Sequence, residues 1–353
     1  MRILIFSTAY TLEDNVADGG IGINKFVFPW RRLISCLLSL ALIQYVFALN
    51  VSANESKTAE EVLTEGFYSF EDSIDVSAFE LSPTELLQIF SRVIKDDPYL
   101  FFVGGNLRYS YGASGYALTL TPRYTMTRED YETALAYCIE RIRAISTLAE
   151  HYESEGERAL FLHDFICENF EYDHSLQSGD IYDFLLTGRG TCEAYMLLYS
   201  ALLRECGIES HFAASDPLTH IWNIVLIDGE WYHVDVTWDD SASSDAVSRR
   251  HFLCSDASAL ERGHKDWYLP IEVQCLSNKY VDFDFDTFLQ DRVTLGDVNH
   301  DGNVTLLDLL MLRRWQTGGE DSDFCRFCAD LTLDGAVDEK DIDIMRRKLI
   351  ASD

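Results

Sequence analysis

Cys192, His220 and Asp235 are the residues of this chain whose types and order could do covalent chemistry. A cysteine thiolate attacks a carbonyl carbon, an imidazole carries the proton, and a carboxylate fixes the imidazole tautomer and steadies its charged form. Cys192 follows Gly188-Arg189-Gly190-Thr191 and opens an apolar run ending at Cys206 and Gly207, a natural helix stop. The cysteine is therefore expected on the first turn of a helix, where the macrodipole favours negative charge. Cys138, Cys167 and Cys206 fall on apolar helical faces and read as core. A second set of residues suits a hard cation. Residues 297–308 and 330–341 align at a constant offset, with oxygen side chains at loop positions 1, 3, 5, 9 and 12 and glycine at position 6. Oxygen ligands around a sharp glycine bend are the chemistry of a calcium loop. The candidate ligands are Asp297, Asn299, Asp301, Thr305 and Asp308, then Asp330, Thr332, Asp334, Asp338 and Asp341, with Asn303 and Ala336 ligating through their carbonyls. Two such loops in register make a chance match remote.

The elements that position the cysteine's partners follow from one turn. Ile227-Asp228-Gly229-Glu230 is a two-residue D-G hairpin signal. It pairs Ile227 with Glu230, which sets Trp222 opposite Asp235 and His220 opposite Thr237. With side chains alternating, His220, Trp222, His233, Asp235 and Thr237 share one face. His220 and Asp235 then lie diagonally, roughly 7 Å apart at the backbone and within side-chain reach. His233 is a rival base on the same face, though nearer the turn and opposite Ile224. On spacing alone, a single cysteine and a single histidine could equally be packed structural residues. Tyr195 and Trp222 are candidates to line the acyl site, or plain core aromatics.

Upstream, Ser82-Pro83-Thr84-Glu85 and Ser154-Glu155-Gly156-Glu157 are capping boxes that start helices, and Thr127 caps another. Residues 100–124 alternate and are rich in Tyr, Leu and Gly, which predicts two or three strands. Strand signals return from Ile208 to Trp238, so the class is α+β, with helices packed on an antiparallel sheet. The chain has 353 residues, 47% apolar, with a net charge of −31 from 59 acidic residues. That charge argues against a nucleic-acid partner, because phosphate contacts need clustered Lys and Arg. Arg31-Arg32 followed by the apolar run Leu33–Leu49, with Val46-Phe47-Ala48 as a cleavage site, reads as a signal peptide over residues 1–48 with an extended leading segment. An uncleaved membrane anchor is the alternative. Cys325-x-x-Cys328 could be a disulfide, a redox pair or half a zinc site, but no second C-x-x-C completes four ligands.

The motifs G-R-G-T-C-E-A-Y (188–195) and H-I-W-N-I-V-L-I-D-G-E-W-Y-H-V-D-V-T-W-D-D (220–240), with His163-Asp164 and Glu171-Tyr172-Asp173 upstream, resemble the core of the bacterial transglutaminase-like superfamily over roughly residues 154–255. The resemblance implies a papain-like α+β core in which Cys192 is nucleophile, His220 base and Asp235 orienter. It also implies acyl transfer through a thioester, with no cofactor for catalysis. The superfamily includes proteases, cross-linking and deamidating enzymes and silent members; peptide or amide hydrolysis is the favoured expectation. A true transglutaminase and a catalytically silent binding module of protein- or carbohydrate-associated type are the alternatives. No pair of glycosidase carboxylates is recognisable.

Each calcium loop runs into one helix, and Arg313-Arg314 recurs as Arg346-Arg347. This duplication resembles a type I dockerin, a small all-α module of calcium loops and helices, which implies two structural calcium ions and a cohesin partner on a cellulosomal scaffold. By the same resemblance Leu306, Leu307, Arg313 and Arg314, with Glu339, Lys340, Arg346 and Arg347, would face the cohesin. The plainer alternative makes the leucines core and the arginines a solvated face. The expected organisation is a signal peptide (1–48), an N-terminal α+β region (49–153), a catalytic domain (154–290) and a dockerin (293–353) of a secreted, extracellular enzyme that does not stay in the membrane after cleavage.

Overall fold

The computed structural model describes residues 57–176, 179–240, 247–280, 283, 285, 294–299, 301–319 and 324–351. The expected signal segment lies outside the described residues. In chain order the elements are α1 (Ala59–Tyr68), β1 (Ile74–Asp75), α2 (Pro83–Asp96), β2 (Arg108–Tyr111), β3 (Ala117–Thr121), α3 (Arg128–Ala149), α4 (Glu155–Asn169), β4 (Glu171–Tyr172), α5 (Ile181–Thr187), β5 (Arg189–Gly190), α6 (Cys192–Glu205), β6 (Ser210–Ser215), β7 (His220–Ile227), β8 (Glu230–Val234), α7 (Val236–Asp239), α8 (Asp256–Glu261), α9 (Leu306–Gln316), α10 (Arg326–Ala329) and α11 (Glu339–Ala351). The architecture is α+β, with helices, two antiparallel three-stranded sheets (β1-β3-β2 and β6-β7-β8) and a short parallel pair, β4-β5.

Local chemistry sets the helix starts. Ser82 Oγ accepts the Glu85 N–H while Glu85 accepts the Ser82 N–H, and Ser154 and Glu157 repeat the exchange, so both capping boxes close. The N-terminal elements wrap β1, β3 and β2, in that order, around a core of Leu63, Phe67, Leu86, Phe90, Phe102 and Leu120. A second core centres on α6, whose Tyr195, Leu198, Tyr199 and Leu202 are fully buried against α3, α4 and the β6-β7-β8 sheet. That cluster continues into Leu309, Leu312, Ile342 and Met345 of the C-terminal helices. The second calcium loop lies close to α3, where Leu148 and Thr147 share a cavity of about 310 Å³ with Asp330, Leu333 and Val337.

The hairpin register is the one the D-G turn dictates. Ile227 pairs with Glu230 and Asn223 with Val234. Asp228 and Gly229 have φ of 53° and 82°, the left-handed pair a type I′ turn requires. The strand ends at Val234, three residues short of the expected pairing at Thr237. Asp235 accepts the Trp238 N–H at 3.1 Å and starts the short helix α7, so Thr237 lies in that helix rather than opposite His220. That expectation fails because an aspartate followed by three residues of helix-compatible sequence caps as readily as it pairs.

Behind the site lies a buried charge network. His163 Nδ1 is 3.0 Å from Asp164 and its Nε2 3.3 Å from Asp239, while Arg249 holds Asp164 at 2.7 Å. Burial pulls the His163 imidazole down, but hydrogen bonds to Asp164 and Asp239 outweigh it and raise the imidazole to about 9. The network ties α4 to α7 through His163 and Asp239.

Candidate active site

Cys192 is the first residue of α6, and its N-cap Thr191 makes no side-chain capping bond. Gly190 lets that helix start where it does. A Cβ there would stand 2.7 Å from Ala194 Cβ and 2.7 Å from the Phe184 ring, inside van der Waals contact. Strand β7 is pinned across α6 by Asn223, whose Nδ2 donates to the Met196 carbonyl at 3.1 Å and to Ser200 Oγ at 2.8 Å. Three residues earlier on that strand, His220 is delivered to the start of α6.

His220 Nε2 stands 2.7 Å from Asp235 Oδ2, which leaves the opposite nitrogen for the Cys192 thiol on the same cleft. The imidazole packs nearly parallel to two indoles, 5.6 Å from Trp222 at 20° and 5.0 Å from Trp238 at 8°. Burial pulls the His220 imidazole down. The charge and hydrogen bond of Asp235, with the Cys192 bond, outweigh it and bring it up to about 9. Burial pushes the Asp235 carboxyl up, but His220 and His264 hold it well below the ordinary carboxylate range. Cys192 and His220 open on a cleft of about 360 Å³, also lined by Lys95, Asp216 and Tyr268.

Two residues of this arrangement escaped the sequence analysis as partners. His264 Nε2 also reaches Asp235 Oδ2, at 2.8 Å, while its Nδ1 is buried without a partner. His264 Nε2–H is thus a second donor to the same oxygen. Its ring stacks on Trp238 at 4.2 Å. Trp238 stands three residues after Asp235, a helical spacing that could have flagged it. His264 arrives from a loop 29 residues beyond Asp235, with no local signal.

Other expectations are corrected. Tyr195 and Trp222 lie beneath the cleft rather than lining it, at 0% and 1% exposure. The Tyr195 hydroxyl donates to Asp240, and its ring packs on Phe184. Trp222 serves as the floor of the His220 ring and donates its indole N–H to His233 Nδ1 at 3.0 Å. His233 therefore carries its proton on Nε2, 2.8 Å from Asp256 Oδ1, and is committed away from the cysteine.

The C-terminal loops close around their acidic residues. Asp297, fully buried, accepts the N–H groups of Asp301 at 3.1 Å and Gly302 at 2.8 Å; Asp330 accepts those of Asp334 at 3.1 Å and Gly335 at 2.7 Å. Asp308 accepts from Val298 and Thr305, and Asp341 from Thr332 and Asp338. Asn299 donates to Asp301, while the Thr305 hydroxyl caps α9 and bonds Asp308. Each loop thus gathers buried carboxylates around neutral donors, and burial pushes Asp330 up. A divalent cation fits that deficit, although Asp334 also pairs with Lys340 at 3.1 Å. Cys325 and Cys328 tie down the first loop, with Cys325 N–H on the Val298 carbonyl and the Cys328 carbonyl taking the Gly296 N–H.

On α9, Leu306 and Leu307 are 63% and 52% exposed, which removes the core alternative for them. Leu310, unnoticed in the sequence, is exposed one turn on. Arg313 and Arg346 flank Glu339 at 4.0 and 3.6 Å, joining the two repeats, and Arg347 donates to the Asp343 carbonyl. Arg314 belongs to the same surface stripe as Leu306 and Leu310 by helical period.

Residues 143–236 match the family model described as the transglutaminase-like superfamily, and residues 295–350 match that of the dockerin type I domain. The chain carries a transglutaminase-like core and a C-terminal type I dockerin. The core match begins on α3, earlier than position 154, in keeping with the packing of α3 on α6. Kyphoscoliosis peptidase of Mus musculus is 26% identical over 132 residues, covering 32% of this chain and 20% of the relative, and that of Homo sapiens is 24% identical with the same coverage. The chain therefore spans about a fifth of the length of these curated relatives. A solved structure described as a TGase covers 49% of this chain and 53% of its own at 13% identity, with a TM-score of 0.29 that carries no argument. Core and dockerin together make this a cellulosome-type, enzyme-like module in an extracellular context, and the dockerin implies a cohesin partner and calcium. Among the described residues no helix is long and apolar enough to cross a membrane.

Proposed function

We propose that the chain is a cysteine acyl-transfer enzyme that hydrolyses peptide or amide bonds while held on a scaffold by its dockerin. The observation that carries this reading is the placement of Cys192 and His220 on one cleft, with His220 bonded to Asp235. His220 takes the thiol proton, and the Cys192 sulfur attacks the amide carbonyl carbon. The oxyanion forms beside the first turn of α6, whose backbone amides favour negative charge. The imidazolium gives its proton to the departing amine as the carbon–nitrogen bond breaks, leaving a thioester. Water, deprotonated by His220, then attacks the thioester and releases the acid and the thiol. Asp235 keeps the imidazole in the tautomer that serves both steps, and His264 keeps Asp235 in place.

In the dockerin, Asp297, Asn299, Asp301, Asn303, Thr305 and Asp308 would hold one calcium ion and Asp330, Thr332, Asp334, Ala336, Asp338 and Asp341 the second. Calcium supplies the charge that lets each acidic loop close. The exposed Leu306, Leu307, Arg313 and Arg314, with Glu339, Lys340, Arg346 and Arg347, would meet the cohesin. Residues 1–48 would direct secretion, 49–153 precede the catalytic domain of 154–290, and 293–353 form the dockerin.

The test is labelling with an amide-based covalent probe. Cys192→Ala should abolish thioester formation with circular dichroism unchanged, and equal labelling of variant and wild type would refute the reading. Mass spectrometry of incubated protein substrates separates cleavage from deamidation and cross-linking.

A further inference from the structure

The cleft at Cys192 does not end at the catalytic residues. Asp216 and Tyr268 line it and also line a second, larger hollow of about 590 Å³. That hollow is walled by Leu87 and Ser91 of α2 on one side and by Tyr268, Leu269 and Pro270 on the other, with Phe212 of β6 beneath. Leu87 and Tyr268 are 43% and 45% exposed, large apolar surfaces left facing this space.

Both walls are fixed. Tyr268 is bonded through its backbone to Ala214, with N–O distances of 2.8 and 3.1 Å, which adds it to the sheet beside β6. Helix α2 is tied to the core by Asp96, 2.9 Å from His211 Nδ1, and by Arg204, whose guanidinium donates to the Asp96 carbonyl at 3.0 Å. Lys95 stands over the Phe212 ring at 5.7 Å and borders the cysteine cleft, so α2 reaches from one hollow to the other. A preformed concave site with apolar walls and a few polar groups at its rim suits a side chain inserted from a ligand. Helix α2 lies outside the residues matched to the transglutaminase-like family, so this wall belongs to the N-terminal region of this chain.

We propose that the N-terminal region supplies a substrate-selecting subsite: the hollow between α2 and residues 268–270 seats an aliphatic or aromatic side chain of a polypeptide next to the amide presented to Cys192. The proposal rests on Cys192 being the nucleophile. The occupant is a polypeptide because the hollow is continuous with the cleft where the amide would react. An apolar side chain entering it covers the exposed faces of Leu87 and Tyr268. A pocket of this kind discriminates by about 10- to 200-fold.

The experiment uses the full chain and two N-acetyl dipeptidyl chloromethyl ketones, one bearing Phe and one bearing Ser before a common glycine. Cys192 sulfur displaces chloride as the carbon–sulfur bond forms. Each rate is divided by the same protein's rate with iodoacetamide, which is too small to reach the hollow. The Phe probe should react at least about tenfold faster than the Ser probe. Leu87→Asp should abolish the preference and Leu87→Met should retain it. Equal rates for the two probes, or a preference that survives Leu87→Asp, would overturn the subsite. An iodoacetamide rate at Cys192 unmoved by His220→Ala would strike at the nucleophile itself, and the subsite would fall with it.

Discussion

Asp235→Asn isolates what the buried carboxylate does for His220. Asp235 accepts from His220 at 2.7 Å, from His264 at 2.8 Å and from the Trp238 N–H at 3.1 Å, in a position 1% exposed. An asparagine fills the same volume and its carbonyl can still accept one of these bonds, but it removes the charge. Burial pulls the His220 imidazole down and Asp235 is the main group raising it, so without that charge it should fall from about 9 toward its ordinary value of 6.5. The span corresponds to roughly 3 kcal/mol of stabilisation of the imidazolium. At pH 7 the wild-type ring is charged, whereas in the variant it should be largely neutral. The assay is the rate of Cys192 alkylation by iodoacetamide at pH 7, read by mass spectrometry, with near-ultraviolet circular dichroism as the control for folding. We expect a fall of about a hundredfold, less than the full span because the amide oxygen retains a hydrogen bond. A fall of less than about threefold in a folded variant would refute the assignment of Asp235 as the source of the His220 charge.

His163 and His220 are both raised to about 9, so each holds its proton in the folded chain above the pH at which the unfolded chain loses it. Their contribution is full below about pH 6.5 and is lost as pH rises through 9; the melting temperature should fall by on the order of 5–10 °C between these values, and a flat profile would contradict the charged state of both rings. Gly190→Ala places a methyl 2.7 Å from Ala194 and Phe184 and should cost about 1–3 kcal/mol while displacing Cys192, seen as a lower denaturant midpoint together with slower alkylation. Removing calcium with a chelator should reduce the helical circular dichroism contributed by α9 and α11 and leave Cys192 alkylation within about twofold, because the loops and the cleft share no lining residue. An unchanged spectrum would count against both loops as cation sites.

How far the sequence could be read depended on how local each determinant is. The two calcium loops are each twelve residues of contiguous ligands, so their chemistry stands in the sequence. The face shared by His220 and Asp235 follows from one D-G turn and a period of two, and the turn has the backbone that rule requires. The register failed one residue past Val234, because the Asp235 side chain also caps α7; one carboxylate both orients the imidazole and ends the strand. Tyr195 was misplaced because helical period tells which face it is on but not that α5 and Asp240 cover that face. His264 reaches Asp235 only through tertiary packing, and the α2 wall of the cleft comes from a region about a hundred residues upstream of the cysteine; neither leaves a trace in local pattern.

The two indoles that flank His220 restrict how the ring can move. A ring stacked nearly parallel to two indoles moves most easily within its own plane, and both nitrogens lie in that plane. Small in-plane excursions carry one edge toward the sulfur or back while the other edge keeps hold of Asp235. Turning the ring over, which would exchange its two nitrogens, breaks both stacking contacts and the Asp235 bond, and Trp222 is itself held by its bond to His233. The orientation of the base is therefore held by ring packing as well as by its hydrogen bond to Asp235.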